Sequence, residues 1–181
     1  LTRAAAIAFY AALSFAPLGH AADNAATQAL HQLFQSSWDR GMRENPLYAS
    51  DLGDRRYNDQ WGDTSLAALK RYHAEDQADY QALLKIDRAQ LSPQDKVSYD
   101  IFKWQHEDGE ESWKFHEYLF PLNQLGGIQT VGDYAQSLRF TTLKDYQDWL
   151  KRMQTFAPYM DQTIALLPQG VDQGYTLPKV V

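Results

Sequence analysis

Two histidine–glutamate pairs, His106-Glu107 and His116-Glu117, are the residues best suited by type to hydrolytic chemistry. A zinc peptidase helix needs HExxH. Two imidazoles one turn apart bind the metal, and the glutamate after the first activates water. The fourth residue after His106 is Glu110 and the fourth after His116 is Phe120, so neither pair completes the motif. Both pairs read as ordinary surface residues. Glu107, Asp108, Glu110 and Glu111 form an acidic run without the spaced oxygens and glycine of a calcium loop, so a solvated helix face is the plainer reading. No serine stands in a G-x-S-x-G or S-x-x-K context. Gly126-Gly127 lacks the lysine and the strand–loop–helix order of a phosphate loop. It reads as a tight turn or as cleft-lining backbone, with Asn123 and Gln124 beside it. Arg139 and Arg152 could bind a substrate carboxylate or pair with Asp145 or Asp148. No catalytic, metal-binding or cofactor-binding residue is assignable, and the candidate cleft-lining residues are Asn123, Gln124, Gly126 and Gly127.

The elements that would position these residues are helical. Leu30, Leu33, Phe34, Trp38 and Met42 share one stripe and predict a helix over 24–43, closed before Asn45-Pro46. Glu44 to Asp63 then forms a structured elbow. Pro46 suits a first helical position, Leu47 to Leu52 supplies little more than a turn, and Gly53 suits a left-handed end. Asp54, Asp59 and Asp63 offer caps and Asx-turns. Asp63 or Thr64 caps the next helix, whose inner side is Leu66, Leu69, Tyr72, Tyr80, Leu83 and Leu84. Ser92-Pro93-Gln94-Asp95 is a strong helix start, with Val97, Ile101, Trp104 and Phe102 as the expected buried stripe, and Gly109 is a possible interruption. From Leu119 to Gly132 the period is lost in an apolar loop. Thr142 to Asp145 resembles a capping box, followed by Leu143, Tyr146, Trp149, Leu150, Met153 and Phe156 at helical spacing. A further helix ends at Gly170, and Pro178 reads as another helix start. The expectation is an all-α bundle of five or six helices, antiparallel where loops are short.

Composition narrows the setting. Arg3 precedes the apolar run Ala4–Ala16, and Gly19-His20-Ala21 supplies small residues before Ala22. This is the layout of a signal peptide over 1–21, leaving an incomplete helical domain over 22–181 in an exported, periplasmic or secreted protein. The run is too short to span a membrane. Its removal takes away Arg3 and no acid, so the net charge moves from −6 to −7. An acidic chain without a basic stripe argues against a nucleic-acid partner. The absence of cysteine leaves the mature fold to be held by its core.

The segments in order resemble the N-terminal part of the bacterial family named domain of unknown function 885. The matching pieces are Glu44 to Asp59, Leu83-Leu84-Lys85-Ile86-Asp87 before Leu91 to Asp95, and Phe120 to Gln124 with Gly126-Gly127. Asp145-Tyr146, Trp149 to Met153 and Gly170 to Pro178 complete the series. The resemblance implies an exported helical hydrolase, similar to zinc carboxypeptidases, in a much longer protein. The HExxH helix of such proteins falls in a C-terminal half that has no counterpart in this sequence. No cofactor is therefore expected in this chain, and zinc only in a full-length relative. The implied partners are that missing C-terminal half and a peptide-like substrate, and the chain alone is expected to be inactive. The rival expectation is a self-contained periplasmic helical binding or interaction domain.

Overall fold

A computed structural model of the chain describes residues 24–122 and 127–176. The leader expected over 1–21 and the helix start expected at Pro178 lie outside the described residues. The fold is all-α. Helix α1 spans Ala25–Glu44, α2 Pro46–Asp51, α3 Leu66–Leu83, α4 Pro93–Trp113, α5 Val131–Ser137, α6 Leu143–Gln154 and α7 Phe156–Asp172. Among the described residues the only extended pairing is an isolated bridge between Leu122 and Gly127. There are seven helices among them where five or six were expected. The six-residue α2 closes into a true helix, and α5 forms at the end of the stretch where the apolar period fails.

The helix starts follow local chemistry. Asn24 accepts the Thr27 N–H, Ser92 accepts the Asp95 N–H with Pro93 behind it, and Thr142 and Asp145 form a reciprocal capping box. The start of α3 differs from expectation. Ser65 is the cap, accepting the Ala68 N–H, while Asp63 accepts the Ser65 N–H at 2.9 Å just before it. Gly109 does not interrupt α4.

Helices α1, α3 and α4 pack on one another. Leu30, Leu83, Leu91 and Tyr99 are buried between them, with Leu33, Phe34, Ile86 and Phe102 packed around. Full burial of Leu30 and Leu83 contributes roughly 2 kcal/mol each. Of the expected inner stripe of α4, Phe102 packs against the core and the other three side chains do not. Val97, Ile101 and Trp104 are exposed, while Tyr99 and Phe102 face the core. Leu84, expected inside, is also exposed.

The second half is organised around aromatic rings. Trp61 stacks on Tyr159 at 5.4 Å and meets Phe156 at 5.1 Å and Trp149 at 6.1 Å. Helix α6 turns its polar side inward, burying Asp145 and Arg152. Its apolar stripe of Leu143, Tyr146, Leu150 and Met153 stays exposed.

Candidate functional site

The elbow between α1 and α3 is the hub around which the clefts lie. Helix α1 ends at Glu44 because Asn45 precedes Pro46, which disfavours helical backbone before it. Gly53 at φ 87° and Gly62 at φ 95° supply the two left-handed turns. Asp54 accepts the Arg56 N–H at 3.0 Å and starts the 3-10 turn Arg55–Tyr57. Asp59, expected as a cap, instead receives the Lys151 ammonium, which holds its carboxyl below the usual range.

Arg152 pins the elbow from α6. Its side chain is fully buried, and Nη2 donates to Ser50 Oγ at 2.9 Å, to the Tyr57 carbonyl at 2.9 Å and to the Pro46 carbonyl at 3.5 Å. Its Nε and Nη1 have no hydrogen-bond partner among the described residues. The guanidinium carbon lies 5.7 Å from the Trp61 ring centre and 5.8 Å from that of Tyr134. Burial pushes its pKa down. Arg152 therefore pairs with neither Asp145 nor Asp148. Arg55 takes Asp145 at 3.1 Å and Lys144 takes Asp148 at 2.6 Å.

Three clefts open around this hub. The first, about 510 Å³, lies between the elbow, α3 and the α6–α7 junction, with Glu44, Trp61, Arg71, Tyr72, Lys151 and Tyr159 on its walls. Behind it Arg40 is ringed by Asp76 at 2.6 Å, Asp79 at 2.8 Å, Glu44 at 3.5 Å and Glu75 at 3.7 Å. Four carboxylates around one guanidinium cannot all be neutralised by it. Burial, followed by a hydrogen bond shared with Glu75, raises the Glu44 carboxyl to about 7. The cleft thus offers a group that can take or give a proton near neutral pH, beside cations and aromatic faces. Sequence reading missed Glu44 in this role. The available signal was the Arg40–Glu44 spacing of one turn opposite the acidic run Glu75, Asp76 and Asp79.

The second cleft, about 480 Å³, lies between the elbow and the start of α6 and carries Arg55, Arg139, Asp145, Phe140 and Trp149. The third, about 720 Å³, includes Gly127, Tyr118, Val131, Tyr134 and Leu166. Gly127 sits at φ 136°, and a Cβ there would stand 2.8 Å from the Pro121 carbonyl oxygen. Asn123, Gln124 and Gly126 lie outside the described residues. Arg139 and Arg152 are not brought together: Arg139 is exposed on the second cleft and Arg152 is buried behind it.

The histidine–glutamate pairs are held by local contacts. His106 Nδ1 lies 3.0 Å from the Phe102 carbonyl, and Glu107 accepts from Tyr80 at 2.8 Å and from Lys103 at 2.5 Å. His116, at φ 54°, has Nδ1 2.8 Å from the Tyr175 hydroxyl. Glu110 lies 3.4 Å from His73, and Glu111 receives Lys114. Among the described residues no group of three histidine, aspartate or glutamate side chains could hold a metal ion. No helix among the described residues is long and apolar enough to cross a membrane.

Comparison with curated proteins and with solved structures gave no match. The sequence profile of one family does match, over residues 46–181, from the first residue of α2 onward. The chain belongs to the family described as bacterial protein of unknown function (DUF885).

Proposed function

We propose that this chain is the N-terminal helical part of an exported metal-dependent hydrolase acting on peptide-like substrates. In this reading the metal and the general base belong to another part of the same protein, and the 181-residue chain alone is inactive. The observation that carries the reading is the inversion of α6. Asp145 and Arg152 are buried while Leu143 is 75% exposed, with Tyr146, Leu150 and Met153 exposed on the same stripe. An apolar side chain gains roughly 1.5–3 kcal/mol on full burial, so a helix that turns such a stripe outward is suited to be covered. Val97, Ile101 and Trp104 on α4 present a second stripe of the same kind. The helices described here would then form one wall of a cleft completed by the remaining part of the domain.

The test is peptide hydrolysis by the purified chain with added zinc and with a chelator. No turnover is expected. Robust turnover lost on chelation would overturn the reading. Binding of a hydrophobic dye and association through α6 support it. A monomeric, cooperative melt without dye binding favours a self-contained helical binding domain instead. Reading the gene past Val181 for an in-frame HExxH helix separates the two at once.

A further inference from the structure

The second cleft holds a cation that no described residue pairs. Of its two arginines, Arg55 is committed. Its Nη1 lies 3.1 Å from Asp145 Oδ1, and its Nη2 donates to Thr141 Oγ1 at 3.0 Å. Asp145 is likewise committed. Its Oδ2 accepts the Thr141 N–H at 2.9 Å, the Thr142 N–H at 2.7 Å and the Thr141 hydroxyl at 3.1 Å. Arg139 stands on the same wall, exposed, and makes no hydrogen bond or ion pair among the described residues. Beside it the cleft is walled by Leu138, Phe140 and Trp149, with Phe140 and Trp149 in edge contact at 6.4 Å. Ser50 and Asn58, already bonded to each other at 2.7 Å, close the polar side.

A guanidinium in a cleft that also has an aromatic wall suits an oxyanion with an apolar body. The planar fork of arginine matches a carboxylate through two parallel N–H donors, and the rings receive the rest of the molecule. The charge of the cleft decides between anions. Arg55 and Asp145 pair with each other, and Asp51 adds a negative charge to the lining beside Arg139. One negative charge can pair with Arg139. A dianion such as phosphate would add a second negative charge to a lining that already carries Asp51 and Asp145.

We infer that the cleft between the elbow and the start of α6 binds a small monocarboxylate with an apolar body, held by Arg139 and walled by Phe140 and Trp149. This site stands apart from the hydrolase reading, since neither turnover nor metal enters its test. The full chain is titrated calorimetrically with N-acetylphenylalanine, with its neutral amide and with inorganic phosphate. The acid is expected to bind with a dissociation constant of about 1 mM or tighter. The amide and phosphate should bind at least about tenfold more weakly, as should the acid to Arg139→Gln, because one charge-assisted pair is lost. Arg139→Gln should melt with the parent, since Arg139 has no structural partner among the described residues. Arg43→Gln, on the first cleft, should leave binding unchanged. Equal binding of acid and amide, phosphate binding as tight as the acid, an Arg139→Gln protein that binds like the parent, or no binding of the acid would each overturn the inference.

Discussion

The indole N–H of Trp61 donates to the backbone carbonyl of Arg152, while the Arg152 guanidinium carbon stands 5.7 Å from the centre of the same indole ring. One residue thus grips the other at both its main chain and its side chain, tying the elbow to α6. Arg152→Ala should lower unfolding free energy by about 3–5 kcal/mol, because it leaves a void and strips the Tyr57 carbonyl of a donor. Arg152→Met keeps most of the volume and removes a buried charge, so its cost should be smaller, about 1–2 kcal/mol. Urea melts give both values. Equal losses would show that the charge, not the filled space, is what the site requires.

The Glu44 carboxyl predicts a slope of stability with pH. Its ordinary value is 4.5 and it is raised to about 7 in the folded chain. The folded state therefore holds the proton more tightly than the unfolded state. This stabilising contribution is complete below about 4.5 and is lost as pH rises through about 7. Glu44→Gln should flatten the melting temperature across that window and raise it at about pH 8. Each kcal/mol corresponds to about 2–4 °C in a chain of this size. A parent protein whose melting temperature rises steadily from about pH 5 to 8, in step with the variant, would contradict this assignment.

Two glycines should respond to alanine with opposite signs. At Gly62, a Cβ would meet the Glu44 carbonyl oxygen at 3.0 Å and Pro46 Cδ at 3.1 Å, on a backbone at φ 95°. Gly62→Ala should destabilise by about 1–3 kcal/mol. Gly109 lies within α4 with nothing within 4 Å of the added atom. Gly109→Ala should stabilise by about 0.5–1 kcal/mol, through helix propensity and a less free unfolded chain. Thermal melts of the pair check both signs.

The outward stripe of α6 should be replaceable without loss of fold. Leu143→Gln combined with Leu150→Gln should change stability by no more than about 0.5 kcal/mol while reducing dye binding and association. A large loss of stability would mean that these side chains are packed rather than presented.

Helix ends were legible in the sequence because caps are local. Ser92-Pro93 and the Thr142–Asp145 box act over three residues, and the structure uses both. Helix faces were less legible. On α4, Val97, Ile101 and Trp104 compete with Tyr99 and Phe102 for the inside, and only the partners on α1 and α3 decide between them. On α6 the apolar series divides: Trp149 packs on Trp61, Leu143, Tyr146, Leu150 and Met153 face outward, and the buried polar side chain Arg152 reaches three acceptors in the elbow. The clefts join residues some ninety positions apart, such as Asp59 with Lys151, a pairing that local spacing does not encode. Of the cleft-lining residues expected from sequence, Gly127 is on a cleft wall and the other three lie outside the described residues.

The family match opens at Pro46, yet α1, which precedes that residue, is woven into α3 and α4. Leu30 of α1 completes the cluster of Leu83, Leu91 and Tyr99, and Arg40 is the cation set among Glu75, Asp76 and Asp79. The matched stretch and the set of helices that pack together therefore have different borders. A protein cut at the first matched residue would lose an apolar plug and a counter-ion together. Amide exchange in α3 and α4 should then rise to the rate of loose chain, although every residue of both helices is still present.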